Sequence, residues 1–389
     1  MSSFENILAE QRPWDALIVG AGPAGSVSAA LLAEAGWRVL LVEKSAWPRE
    51  KVCGGCLNAG AIALLKSHGL AAAMNRSQSI ERAIWRCGSQ NIEVRVPGVA
   101  MCRMQFDAAL VQSAIERGCA FLPATGTHLL PRLDSNYRTV ELTHAGVTCS
   151  IRTKIVLACD GISGTLLKNE PWTKWHVGRN AWIGVAATQV MEHDFVSEAI
   201  HMHIGSGGYV GIVNLPDGRI HLAAALDPRA CRQNHTAAAL IQDILKSCRV
   251  NWTDLADTHL QGTPTLTRQR TCVANDRVLV VGDACGYIEP FTGEGMAWAI
   301  RGAIAVADML IAADGWADDM PLRWEQVYRS QIQRRQRWCR MLRPLVHYPA
   351  VARCGIAAAS WLPQIGNFLA GRINESNAIA SAHLSRASG

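Results

Sequence analysis

Along the chain, short apolar runs that stop at glycine alternate with stretches whose apolar residues recur at helical spacing. The first run, Asp15-Ala-Leu-Ile-Val-Gly20, ends at a glycine. An Ala- and Leu-rich stretch from Gly25 to Glu34 follows and closes at Gly36. Such a run predicts a buried strand, and the spacing after it predicts a helix. A second apolar run, Arg38-Val-Leu-Leu-Val-Glu43, comes at once, so residues 15–43 predict one βαβ unit with parallel strands.

The same pattern returns later. A helix is predicted from Asp107 to Gly118, after Phe106. A strand, Ile155-Val-Leu-Ala-Cys159, leads into Asp160-Gly161. Another, Arg277-Val-Leu-Val-Val-Gly282, enters a glycine-rich turn and an Ala-rich helix running to about Ala313. These belong to the sheet of the first unit. Between them, residues 166–267 alternate apolar and polar positions in places (Ile212-Val-Asn-Leu, Arg219-Ile-His-Leu), which predicts antiparallel strands of an inserted domain. The last seventy or so residues read as helices joined at Pro344, Pro349 and Pro363. The expected organisation is α/β. Residues 1–75, 100–165 and 268–310 form a nucleotide-binding domain, 76–99 and 166–267 a second domain, and 311–389 a helical region.

With 389 residues, 49% of them hydrophobic, the chain can bury a large core. Its net charge of +6 is spread out except for Arg334, Arg335, Arg337, Arg340 and Arg343, which disfavours nucleic acid as a partner because a binding face concentrates its charge. The N-terminal residues 1–13 carry Glu5 and Glu10 and lack a basic start and apolar run. The 13 cysteines are therefore expected as thiols in the reducing cytoplasm. The apolar stretch from Ala350 to Gly371 is interrupted by Arg353, Pro363, Gln364 and Asn367, a poor transmembrane segment.

The most specific chemical signal is Gly20-Ala21-Gly22-Pro23-Ala24-Gly25, set between a predicted strand and helix, with Glu43 and then Lys44 at the end of the next strand. Gly20 permits the tight turn, Gly22 lets backbone approach a pyrophosphate, Gly25 lets helix and strand pack, and the helix N-terminus faces the phosphates. Glu43 would accept from the ribose hydroxyls of an adenosine. This motif leaves NAD and FAD open.

A second glycine-rich turn, Gly282-Asp283-Ala-Cys-Gly286 continued by Pro290-Phe291-Thr-Gly293-Glu-Gly295-Met296, resembles the flavin-ribityl motif of the p-hydroxybenzoate-hydroxylase-like FAD enzymes, and its wording is similar to their geranylgeranyl-reductase-like branch. The resemblance covers about residues 14–310. It implies a Rossmann-type, glutathione-reductase-like FAD-binding fold with an inserted mixed or antiparallel substrate sheet and C-terminal helices. It also implies that Asp283 binds the ribityl chain and that the helix opening at Gly293 to Gly295 points its positive end at the flavin. Trp47-Pro-Arg-Glu-Lys51-Val-Cys53-Gly54-Gly55 resembles the family's loop beside the isoalloxazine ring. Cys102-Arg103-Met-Gln-Phe106-Asp107 resembles the element whose Arg reaches the FAD phosphates or ribityl. Asp160-Gly161 resembles the fingerprint associated with FAD and pyridine nucleotide, although the family's later Ser and Arg are Gly164 and Leu167 here, with Lys168 one step on.

No side chain stands out as an obligatory acid or base. Lys51, Cys53 and Cys56 are the candidates, the last two at redox-pair spacing, though Cys53 also fits as a small residue of the flavin loop. No second Cys-x-x-Cys exists, so no metal site is expected. His201 and His203 lie on one strand face and are read with Tyr209, Pro290 and Phe291 as substrate-pocket residues. In the strand Gly208 to Gly218, Gly211 and Leu215 stand where the prenyl reductases place Trp and Phe, which implies a wider pocket. The segment Leu342 to Leu369 is either an interfacial surface for a lipid-like substrate, giving peripheral membrane contact, or helical cover over the pocket. Together these imply an FAD monooxygenase of secondary metabolism, supplied by NADPH or NADH and acting on an apolar aromatic or polyketide-like molecule. The alternative is a flavin-dependent ene-reductase of the geranylgeranyl-reductase type. A halogenase, lacking its Trp-x-Trp-x-Ile-Pro segment, and a non-catalytic flavin protein are minor readings.

Overall fold

A computed structural model describes residues 4–8, 12–191, 193–233, 236–252, 255, 258–289 and 293–361. Its first sheet runs in the order Ala274–Asn275, Val278–Val280, Val147–Ala158, Trp14–Val19, Val39–Val42, Ala120–Leu122. From Val278–Val280 to Ala120–Leu122 the neighbours are parallel. Leu17, Ile18, Leu40, Leu41, Val156 and Leu157 are fully buried. Strands covered by helices on both faces need unbroken apolar runs, which is why these segments do not alternate. The Pro23–Glu34 helix is buried from Pro23 to Ala33 because its Ala, Gly and Ser residues let it lie close to the sheet and to the Gly295–Ala312 helix.

The second sheet follows the order Gln261–Thr265, Ile183–Gln189, Ile220–Leu226, Gly208–Asn214, Ala199–Gly205, Ser77–Cys87, Gln90–Met101, Cys56–Asn58. It is antiparallel except where Ala199–Gly205 pairs with Ser77–Cys87. One face carries the Ala237–Ser247 helix, whose Leu240, Ile241, Ile244 and Leu245 pack on Val210, Ile212 and Leu222. The other face turns toward the nucleotide-binding domain.

Four expectations shift. The helix expected at Asp107 starts at Arg103, with Cys102 extended before it. Cys56–Asn58, placed with the nucleotide-binding domain by sequence, pairs with Gly98, Val99 and Ala100 and so is an edge of the second sheet. Arg268–Arg270 joins neither large sheet but a three-stranded one with Trp175–Val177 and Gly286–Tyr287. Pro344 lies inside the Arg334–His347 helix rather than at a joint, whereas Pro349 does open the Pro349–Trp361 helix. Pro363 lies outside the described residues. Val346, Ala352 and Ile356 pack against Trp182, Met202 and Tyr209, so these helices cover the second sheet. The Gly295–Ala312 helix is apolar and long enough to cross a membrane, but 72% of it is buried inside the molecule.

Candidate functional site

The glycine turn after Trp14–Val19 separates backbone necessity from ligand space. A Cβ on Gly20, whose φ is +105°, would lie 2.4 Å from the Cys159 carbonyl oxygen, and one on Gly25 would lie 1.9 Å from the Gly20 carbonyl oxygen. Both positions exclude any side chain because strand and helix touch there. A Cβ on Gly22 would meet only the Arg49 Nη2, at 3.6 Å. Gly22 is extended at the helix N-cap and gives that end no side-chain cap. The start of the Gly295–Ala312 helix is likewise without a side-chain cap. Both helix starts line one cavity of about 540 Å³, through Gly22, Pro23 and Ala24 on one side and Gly293, Gly295 and Met296 on the other. Two uncapped helix starts at one cavity make it a place for negative charge and carbonyl oxygens.

An ion-pair chain lies along this end. The Glu43 carboxylate accepts from the Ala21 N–H at 3.1 Å, the Ser45 N–H at 3.0 Å and the Arg49 Nε at 3.1 Å. Arg49 also donates through Nη1 to Asp107 Oδ2 at 3.0 Å. Arg103 grips Asp107 with both arms, Nε to Oδ1 at 3.0 Å and Nη2 to Oδ2 at 2.9 Å. Burial opposes the charge on Glu43, but the Arg49 guanidinium and the Ser45 and Ala21 N–H groups outweigh it and hold its pKa below the ordinary value. Arg49 and Asp107 fall inside the two segments quoted from the sequence, but the sequence assigned neither a role.

Asp283 and Lys51 face the same cavity. Burial pushes the Asp283 carboxyl up to about 6, against the pull of Lys51 and Arg103. Lys51 is lowered by burial and then by Arg49, against the attraction of Asp283. Asp160 is raised by burial, although the Leu166 N–H donates to it at 3.0 Å, and its Oδ1 is buried without a hydrogen-bond partner. Gly164 stands where the family has Ser, and a Cβ there would lie 2.3 Å from the Asp160 carboxyl, so that side chain would have to turn away.

At its other end the cavity is apolar, walled by Ile80, Trp85, Met202, Leu266 and the small residues Gly211 and Ala225. Tyr209 is in this wall, as expected. His201 and His203 are not. In their strand Ile200 and Met202 line the cavity, which turns the histidines to the opposite face. There they meet Phe195, with ring centroids 5.0 and 6.4 Å away. Burial, then Arg86 and His201, lowers the His203 pKa to about 3, so it is a neutral packing residue. Pro290 and Phe291 lie outside the described residues.

Of the remaining cofactor candidates, Lys44, Cys53, Gly54 and Asp160 line the cavity, while Ala21, Gly25 and Gly282 stand behind its wall. Cys53 and Cys56 are free thiols, and burial raises the Cys56 thiol far above its ordinary range. It is a poor nucleophile as it stands. Among the described residues no cluster of three or more His, Cys, Asp or Glu forms a metal site.

The family model described as an FAD binding domain matches residues 14–335. The chain belongs to this FAD-binding family. A menaquinone reductase of Mycobacterium tuberculosis is 26% identical over 324 residues, covering 77% of each chain. A digeranylgeranylglycerophospholipid reductase of Methanopyrus kandleri is 28% identical over 352 residues, 82% of this chain and 88% of the relative. Among solved structures, a flavoprotein/dehydrogenase from Cytophaga hutchinsonii superposes with a TM-score of 0.78 at 15% identity, covering 92% of both chains.

FAD fits the residues present. Gly22 leaves room where a diphosphate must approach backbone, and Arg49 and Arg103 bring positive charge to the same wall. Glu43 would accept from ribose hydroxyls, and Asp283 would hold the ribityl chain. When bound, FAD supplies two-electron transfer, and the chain supplies position, charge and exclusion of water.

Proposed function

We propose that this flavoprotein is a reductase that saturates a carbon–carbon double bond in an apolar lipid or quinone. The observation that carries the reading is one continuous cavity: the helix starts and Asp283 lie at one end, and Trp85, Met202, Gly211 and Leu266 at the other. A flavin and an apolar substrate then share one enclosure, as hydride transfer requires. The direction of the chemistry is taken from the curated relatives, which are named as reductases of menaquinone and of digeranylgeranylglycerophospholipid, two molecules with isoprenoid chains. NADPH or NADH is the donor we infer.

The deciding experiment loads the protein with FAD, reduces it anaerobically and supplies menaquinone and a geranylgeranylated lipid. Mass spectrometry should show a product heavier by two hydrogens from at least one of the two, and bleaching of the flavin by NADPH or NADH should identify the donor. The second reading is a monooxygenase, favoured by the room that Gly211, Ala223 and Ala225 leave for a ring system. It gains a product heavier by one oxygen, and only in air. We also infer peripheral contact with a membrane within the cytoplasm. Met341, Tyr348 and Val351 stand 67%, 60% and 42% exposed near Arg337 and Arg340. Failure to sediment with anionic vesicles removes that inference.

A further inference from the structure

Behind the Tyr209 wall of the cavity stands a polar device that the family resemblance did not point to. The Tyr209 hydroxyl hydrogen-bonds to Glu289, a buried carboxyl that follows the Gly286–Tyr287 strand. Glu289 Oε2 lies 3.2 Å from His347 Nε2 at the end of the Arg334–His347 helix. His347 is stacked on Trp182 with ring centroids 3.6 Å apart and planes 12° from parallel. Its side chain keeps 12% of its surface in solvent, whereas that of Glu289 keeps 1%. Arg343 Nε donates to the same His347 Nε2 at 3.1 Å.

Those two contacts ask opposite things of one nitrogen. To accept from Arg343, Nε2 must be unprotonated, and Glu289 must then carry the proton. To donate to Glu289, Nε2 must hold it. The proton has two homes close together, and the chain Tyr209, Glu289, His347 links the cavity to solvent. Other charged or ionisable groups near this chain are Tyr287 and Cys339 beside Tyr209, and Asp227 near His347.

We propose that Tyr209 is the proton donor to the substrate, resupplied through Glu289 and His347, and that the double bond reduced is therefore conjugated to a carbonyl, as in an enone or quinone. This rests on the reductase reading. Hydride, supplied by the reduced flavin, forms a C–H bond at the β carbon, and the π electrons move onto the carbonyl as an enolate. The Tyr209 O–H bond then breaks to give the α carbon its proton. The tyrosinate takes a proton from Glu289, Glu289 from His347, and His347 from water. The alkene gains two hydrogens, and the flavin is oxidised by two electrons. Burial and then the Glu289 carboxyl raise the Tyr209 phenol well above its ordinary pKa; it still protonates the more basic enolate but is far too weak an acid for an isolated alkene, so the identity of the acid selects the substrate.

The test compares a long-chain 2-alkylcyclohexenone with geranylgeraniol, an alcohol without a carbonyl, as substrates of the FAD-loaded, anaerobically reduced protein. The enone should be reduced, with solvent deuterium at its α carbon, and geranylgeraniol should not. Tyr209→Phe should lower kcat for the enone by roughly 100-fold or more while KM stays within a few-fold. Independently of turnover, the imidazole nitrogen NMR signals of His347 in the FAD-free protein should shift in Glu289→Gln and in Tyr209→Phe, because each change alters the hydrogen bonding at its Nε2. Equal reduction of geranylgeraniol, an unimpaired Tyr209→Phe, or His347 signals unmoved by both substitutions overturns the proposal. Enone reduction with an unimpaired Tyr209→Phe would leave the reductase reading standing. Reduction of neither probe, nor of menaquinone or the geranylgeranylated lipid, would remove both.

Discussion

Replacing Gly22 by valine should weaken FAD binding and leave the protein folded. At an extended N-cap position, with Arg49 Nη2 3.6 Å away as the nearest atom to a new Cβ, the apoprotein has space for the side chain. Loss of the N-cap glycine costs up to about 1 kcal/mol, and the restriction of the unfolded chain offsets roughly 0.4–1 kcal/mol of that. The apoprotein should therefore melt within about 4 °C of the parent. In the holoprotein the added methyl groups occupy the approach of the diphosphate, an overpacking cost of about 1–3 kcal/mol or more, so the dissociation constant should rise by roughly 5- to 150-fold at least. Gly25→Ala is the contrast: its Cβ would sit 1.9 Å from backbone at Gly20, and that variant should lose stability with or without cofactor. Fluorescence titration of FAD into apoprotein, paired with melting followed by circular dichroism, separates the cases. Parental FAD affinity in Gly22→Val would refute the assignment of this helix start as the diphosphate cradle.

Three further outcomes follow from the site. Asp283 titrates near 6 rather than 3.8 in the folded apoprotein, so the stability conferred by its neutral form is full below about pH 4 and lost as pH rises through about 6. That rise corresponds to about 3 kcal/mol, and urea unfolding of Asp283→Asn across this window should show a flatter pH dependence than the parent. Gly211→Trp should fill the apolar end beside Met202, whose Sδ would lie 3.1 Å from the new Cβ, and block long-chain substrates while FAD titrates normally. Restoring the family's serine at Gly164, whose Cβ would lie 2.3 Å from the Asp160 carboxyl, should turn that carboxyl away from the Leu166 N–H; a Leu166 amide NMR signal unchanged from the parent would contradict that contact.

What the sequence disclosed was what local spacing encodes. Gly20, Gly22, Gly25 and Glu43 act within one βαβ unit, and Asp283 sits in a turn whose wording is contiguous, so strand, turn and helix could be read together. What escaped depended on distant partners. Asp107 is held by Arg49, 58 positions away, and no pattern around either residue announces the other. The histidine pair shows the limit of periodicity: alternation puts His201 and His203 on one face, but the Ala237–Ser247 helix decides which face meets the cavity. Cys56–Asn58 is three residues long, too short to register as a strand until its pairing with Gly98 to Ala100 is seen.

The order of the first sheet bears on how the protein is made. Its central strand, Trp14–Val19, emerges early from the ribosome, yet one flanking neighbour ends at Ala158 and the next strand out is Val278–Val280. Until then the apolar edge of the βαβ unit has no partner in its own sheet, and an open apolar edge invites association with other chains. The second uncapped helix start, at Gly295, arrives later still. Synthesis is thus mostly complete before FAD can be gripped from both ends, which makes cofactor capture a late event and low flavin supply a hazard to yield.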